Sequence, residues 1–131
     1  IFNHSIILDD LLGSNAFTRK TQSVLTNAMI KNRHMKIVFC VLVQSIRAVP
    51  KTIRMNCSVF QLAKFGSKKV VLFDIYEEVS NIITVEKFEQ LYDHATSFKY
   101  GSLIIDTTHS DKRFLSNFNS ELFITDDKIK I

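Results

Sequence analysis

The sequence predicts an α/β fold: a mostly parallel sheet with helices on both faces, built as a single domain over residues 1–131. Three observations carry that expectation. Several strand-length segments are continuously apolar rather than alternating, which is the pattern of strands covered on both faces. Segments of helical period lie between them. Their order is strand, helix, strand, turn, strand, helices, strand, as in layered α/β architectures.

The first strand is Ser5-Ile6-Ile7-Leu8, which ends in Asp9-Asp10. After Gly13, Ser14 or Asn15 can cap a helix whose apolar positions Phe17, Val24, Leu25, Ala28 and Met29 recur at helical spacing and which fades near Asn32. Residues 35–43, Met-Lys-Ile-Val-Phe-Cys-Val-Leu-Val, show little alternation and are expected at the sheet centre, ending at Gln44-Ser45. Pro50 opens a single helical turn over 51–56, because proline suits a first helical position. Residues 58–63 follow as a third strand. Leu72, Ile75, Tyr76, Val79, Ile82 and Ile83 then share one helical face, with Asp74, Glu77 and Glu78 mostly away from it. Thr84 begins a second helix with Val85, Phe88, Leu91, Tyr92 and Ala95 as its buried stripe and Glu86 near the positive end of its dipole. Residues 103–106 and 121–125 complete the strands.

Composition supports a packed core. Hydrophobic residues make up 46% of the chain, with eleven Phe, one Pro and three Gly, so disorder is a poor reading. No apolar run approaches the roughly 18 residues of a membrane-spanning helix, and a membrane partner is not expected. Cys40 and Cys57 lie in apolar stretches without CxxC spacing and are expected to be reduced core thiols, which suits a reducing compartment. The opening Ile1-Phe2-Asn3-His4 runs almost directly into a strand, so the sequence is expected to begin inside a fold.

Charge is asymmetric. From Leu11 through Phe73 there is no Asp or Glu, whereas the same stretch holds eleven Lys and Arg residues. Such a surface attracts polyphosphate, whether a nucleic-acid backbone or a nucleotide.

Ligands of parallel sheets bind beyond the carboxyl ends of the strands, and two of those ends carry suggestive polar groups. The apolar run Ile6-Ile7-Leu8 followed by Asp9-Asp10 matches a Walker B pattern, with Asp9 as the Mg²⁺ carboxylate acting through water and Asp10 orienting the attacking water. An apolar strand ending in two aspartates is also an ordinary strand-to-turn transition. Gln44 ends the next strand, where an amide that donates and accepts can link the attacking water to a γ-phosphate. Ser45 and Arg47 follow as nucleotide-contacting candidates. Arg47, Lys51 and Arg54 fall within eight residues, and their cations suit phosphoryl oxygens or DNA phosphates. Asp106 with Thr107 and Thr108 marks a weaker candidate at another strand end. His4, His34, His94 and His109 are scattered without ligand spacing.

The block Lys31-Asn32-Arg33-His34-Met35-Lys36, the apolar strand, Val43-Gln44-Ser45 and Val49-Pro50-Lys51-Thr52-Ile53-Arg54-Met55-Asn56-Cys57 resembles the genome-packaging ATPases of poxviruses and other large eukaryotic DNA viruses. Those belong to the FtsK/HerA superfamily, with relatives in virophages and virus-like transposons. The likeness extends more weakly to 103–106 and 113–118. It implies the C-terminal part of a RecA-like P-loop ATPase from Walker B onward: a homo-oligomeric ring that hydrolyses Mg-ATP at subunit interfaces to translocate double-stranded DNA. The implied catalytic set is Asp9, Asp10, Gln44 and Arg54, with Ser45 and Arg47 toward nucleotide and Arg33, Lys36 and Lys51 toward DNA. Capsid proteins are implied partners, and the host cytoplasm, in viral factories, or the virion is the implied location. Val43 stands where a threonine often precedes the sensor glutamine, and Asp10 where many members have glutamate. No GxxxxGK[ST] sequence occurs, so no backbone cradle for phosphates is encoded in these residues. Two further readings are a non-catalytic nucleic-acid-binding or assembly module, and a metal-dependent nuclease using Asp9, Asp10 and Asp106.

Overall fold

A computed structural model of the chain describes residues 4–10, 19–66, 68–79, 83–109, 114–125 and 128–130. Two compact units divide it, Ile1–Asn56 and Cys57–Ile131.

The first unit contains β1 (His4–Asp9), α1 (Arg19–Ile30), α2 (Asn32–Met35) and β2 (Ile37–Leu42). The two strands pair in parallel, from His4↔Ile37 to Asp9↔Leu42. Parallel neighbours need a long crossover, and α1 and α2 lie within it. Lys36, at φ 54°, turns the chain out of α2 in the left-handed conformation common at helix ends. A 3₁₀ turn (Ile46–Ala48) and α3 (Lys51–Arg54) follow β2. Pro50, with φ −53° and ψ 139°, sits one position before the first helical residue. α3 lies against α1, and Val49 and Ile53 are buried.

The second unit is built around a four-stranded antiparallel sheet in the order β3 (Val59–Leu62), β4 (Leu103–Asp106), β5 (Phe114–Ser116) and β6 (Ser120–Glu121). Pairing runs from Val59↔Asp106 to Leu62↔Leu103 and from Leu103↔Ser116 to Ile105↔Phe114. α4 (Lys68–Val79) and α5 (Val85–Ala95) connect β3 to β4, and β7 (Phe123–Thr125) pairs with β8 (Lys128–Lys130) as a separate ribbon. α5 follows its sequence pattern: Thr84 is its N-cap residue, and Phe88, Leu91, Tyr92 and Ala95 are buried on one stripe. The Tyr92 hydroxyl donates to the Ala63 carbonyl at 3.1 Å and accepts from the Phe65 amide at 2.8 Å, so the buried ring closes off the end of β3. The phenyl ring of Phe65 stacks on it at 5.8 Å. Leu72 and Ile75 of α4 are buried as their spacing predicts, but Asp74, expected away from that face, is buried too.

The expected mostly parallel, RecA-like sheet is not formed. Among the described strands only β1 and β2 are parallel, and the larger sheet is antiparallel and separate. Strand β3 is the point of departure: it pairs with β4 rather than joining β2. An apolar strand carries the same side chains in either partnership, so its run does not encode direction. β2 is not a sheet centre, because β1 is its only neighbour among the described strands. Nor are these strands covered on both faces. Ile7 is 66% and Leu42 47% exposed, and β2 alternates half-buried with exposed positions. Val24 of α1, expected on a buried face, is exposed. The proposed caps Ser14 and Asn15, with Phe17, lie outside the described residues. Cys40 is exposed and Cys57 half-buried, so neither is a fully buried core thiol. No helix among the described residues is long and apolar enough to cross a membrane.

Candidate functional site

The parallel register of β1 and β2 puts their carboxyl ends side by side. Asp9 is the last residue of β1 and pairs with Leu42, the last of β2; Gln44 lies two residues further on. Gln44 thus lies beyond the strand, at a bend in the chain. Asp10 adopts φ 47°, a conformation that aspartate tolerates better than most residues. This breaks the pleat immediately after Asp9, so the two carboxylates need not point to opposite faces. Asp9, Asp10 and Gln44 are all exposed.

The segment after Gln44 folds back on itself. Ser45, half-buried and extended, precedes the 3₁₀ turn, whose Arg47 is exposed. Arg54, eight residues past Ile46, directs Nη1 to the Ile46 carbonyl at 3.4 Å. That contact carries a half-buried guanidinium back to within two residues of Gln44 in sequence. Burial of Ile53, adjacent to Arg54, anchors the turn from beneath. Lys51 opens α3 and is exposed.

Arg33 and Lys36 lie elsewhere. They belong to α2 and the step before β2, at the amino end of that strand. Over the six residues of β2, the five steps from Ile37 to Leu42 at roughly 3.3 Å each span about 17 Å. The nucleotide candidates and these two DNA candidates therefore occupy opposite ends of β2.

Mg²⁺ is compatible with the residues present at the Asp9 end, because this ion keeps several waters and is held by one or two carboxylates together with phosphate oxygens. Two exposed aspartates at a broken pleat meet that requirement. A triphosphate needs a cradle of backbone amides as well, and no glycine-rich phosphate loop occurs in this sequence. Among the described residues no three His, Cys, Asp or Glu side chains gather as a metal centre.

A second polar cluster, barely signalled by sequence, lies at the end of β4. Asp106 Oδ1 accepts from the Thr108 amide at 2.7 Å and the Thr108 hydroxyl at 2.6 Å, and Oδ2 accepts from His109 Nδ1 at 2.6 Å. Burial opposes the Asp106 charge, but these donors outweigh it and hold the carboxyl down at about 2. Asp-x-Thr is a recognisable turn signal, in which the side chain bonds the amide two residues on. His109 gave no signal, because three-residue spacing in a loop does not imply contact. Thr107 donates its hydroxyl to the Cys57 carbonyl at 2.7 Å, tying this loop to the start of β3. Burial pushes the Cys57 thiol up, and the charge of Glu78 adds to it.

No protein-family model, curated protein or solved structure matches this chain.

Proposed function

We propose that this chain contributes the Walker B and sensor portion of a motor that hydrolyses Mg-ATP to translocate double-stranded DNA, as in viral genome packaging, within a ring of like subunits. One observation carries the reading: the parallel register of β1 and β2 pairs Asp9 with Leu42 at their carboxyl ends, and Asp10 and Gln44 follow those ends by one and two residues. The proposal rests on this βαβ unit and on the resemblance in 31–57. It requires no parallel sheet beyond the pair.

In this reading Asp9 would hold Mg²⁺, which when bound would supply neutralisation of the phosphate charge. Asp10 accepts a proton from the attacking water, whose oxygen bonds to the γ-phosphorus as the bond to the β–γ bridging oxygen breaks and ADP leaves. The Gln44 amide orients that water. Arg54 and Arg47 place positive charge beside the strand end, where a neighbouring subunit's phosphates would meet them. Ser45 supplies a hydroxyl to the same segment. Lys51, Arg33 and Lys36 bind DNA phosphates, and the phosphate cradle comes from polypeptide other than these residues. Such a motor acts with capsid proteins in the host cytoplasm or virion.

The test is ATP hydrolysis by the protein together with its phosphate-loop segment, with and without duplex DNA. Asp10→Asn and Gln44→Ala should each lower kcat at least a hundredfold while nucleotide still binds. Wild-type turnover in both variants would end the proposal. A second reading, a non-catalytic nucleic-acid-binding module, is favoured by the exposed Lys31, Lys36, Arg47 and Lys51 in a stretch without acids. It predicts salt-sensitive DNA binding that ATP does not alter.

A further inference from the structure

The second unit carries three aromatic side chains on two turns that are fastened together. In the turn over residues 98–101, Gly101 N–H donates to the Phe98 carbonyl at 3.0 Å, and Tyr100 takes the third position with φ 62°. In the turn over 116–119, Asn119 N–H donates to the Ser116 carbonyl at 3.0 Å, and Asn117 and Phe118 take φ 52° and 62°. The third position of such turns is where glycine is favoured, because any Cβ is crowded at positive φ. Here an aromatic ring occupies it twice. Backbone held in this conformation persists only where the surroundings enforce it, and it concentrates at functional sites.

The surroundings do enforce it. Asn117 Oδ1 accepts from the Ser102 amide at 2.8 Å and from the Ser102 hydroxyl at 3.0 Å, and the Asn117 amide donates to the Ser102 carbonyl at 3.1 Å. Gln61 extends the network from β3 to the Ser102 hydroxyl at 3.1 Å. Both turns are thus joined by hydrogen bonds at one end of the antiparallel sheet. Their rings nonetheless face water: Phe98 is 59%, Tyr100 87% and Phe118 59% exposed. His94 packs edge-on against Phe98 at 6.3 Å, and Lys99 sets its ammonium 5.1 Å from the Tyr100 ring centre.

We infer that this end of the sheet, carrying Phe98, Tyr100 and Phe118 with Lys99, is a stacking platform for the bases of a single nucleic-acid strand. Three features select that occupant. The rings stand on two turns among exposed Ser97, Lys99, Asn117 and Asn119, so polar side chains interrupt the apolar surface that a protein would cover. Residues 96–102 and 116–120 include no Asp or Glu, and Lys99 supplies a cation for the backbone. Unpaired bases present the faces that rigid aromatic rings stack upon, whereas a duplex keeps its base faces stacked inside. The platform does not depend on the Asp9 strand end, and it stands or falls separately from the motor reading.

The chain has no Trp, so Tyr100→Trp introduces a single fluorescent reporter. Titration of that variant with a short oligodeoxythymidylate at low salt should quench its emission, and inorganic polyphosphate or a duplex of equal phosphate content should not. The paired substitution Tyr100→Gly with Phe118→Gly should weaken binding of the oligonucleotide at least tenfold, while the thermal midpoint stays level or rises as the turns lose their crowding. Absence of quenching, equal quenching by polyphosphate or duplex, or unweakened binding by the glycine variant would each overturn the assignment.

Discussion

Asp106 shows how a single residue can be fixed by its immediate neighbours. The amide and hydroxyl of Thr108 and the His109 ring all donate to it, and its carboxyl is held at about 2 against an ordinary value near 3.9. A carboxyl depressed in the folded state stabilises that state wherever it is ionised in both states. The contribution is therefore complete above about pH 4 and is lost as the pH falls through about 2. Asp106→Asn should lower the thermal midpoint at pH 7, and its difference from wild type should shrink between pH 4 and pH 2; a constant difference across that window would contradict the account. Asp106 is partly exposed, so solvent screening limits the size of the effect. Asp9 differs from it in kind, because strand register rather than adjacent residues sets its position.

At the scale of elements, the junction between α5 and β4 leaves no room for a side chain at Gly101. A Cβ added to Gly101 would lie 2.3 Å from the Ala95 carbonyl oxygen and 3.2 Å from the Thr96 Cα. Both are backbone atoms that cannot rotate aside, so the helix end or the strand must shift. Gly101→Ala should destabilise the protein by about 2 kcal/mol or more in urea titration, within the usual cost of overpacking. α5 itself was legible in the sequence, since Phe88, Leu91, Tyr92 and Ala95 follow helical spacing and one face is buried. β5 was not. Phe114-Leu115-Ser116 is too short to show a period, and it is a strand because β4 offers it an open edge.

At the scale of the whole molecule, the two units differ in how much they bury. Leu103, Ile104 and Ile105 are almost wholly excluded from water, whereas Ile6, Ile7, Val38 and Leu42 of the parallel pair are exposed. Backbone hydrogen bonds under a packed layer open only through large fluctuations, but those of an uncovered two-stranded sheet open locally. Amide exchange should therefore be at least a hundredfold slower at Ile104 and Leu91 than at Val38 and Val41, read residue by residue by NMR. Similar protection in both groups would mean that the parallel pair is covered in solution.

The sequence by itself determined the helical stripe of α5, the apolar strands, the acid-free basic stretch and the acidic and amide residues at or just past the carboxyl ends of β1 and β2. Each of these is written in local spacing or composition, which a chain carries whatever its partners. Only tertiary structure decided which strands pair and in which direction. The hydrogen bonds of a sheet join backbone groups that are alike in every residue, so β3 chose β4 through burial of shared side chains. The same holds for the joining of Ser102 to Asn117 and of Asp106 to His109, where loop geometry brings together groups whose sequence gives no sign of contact.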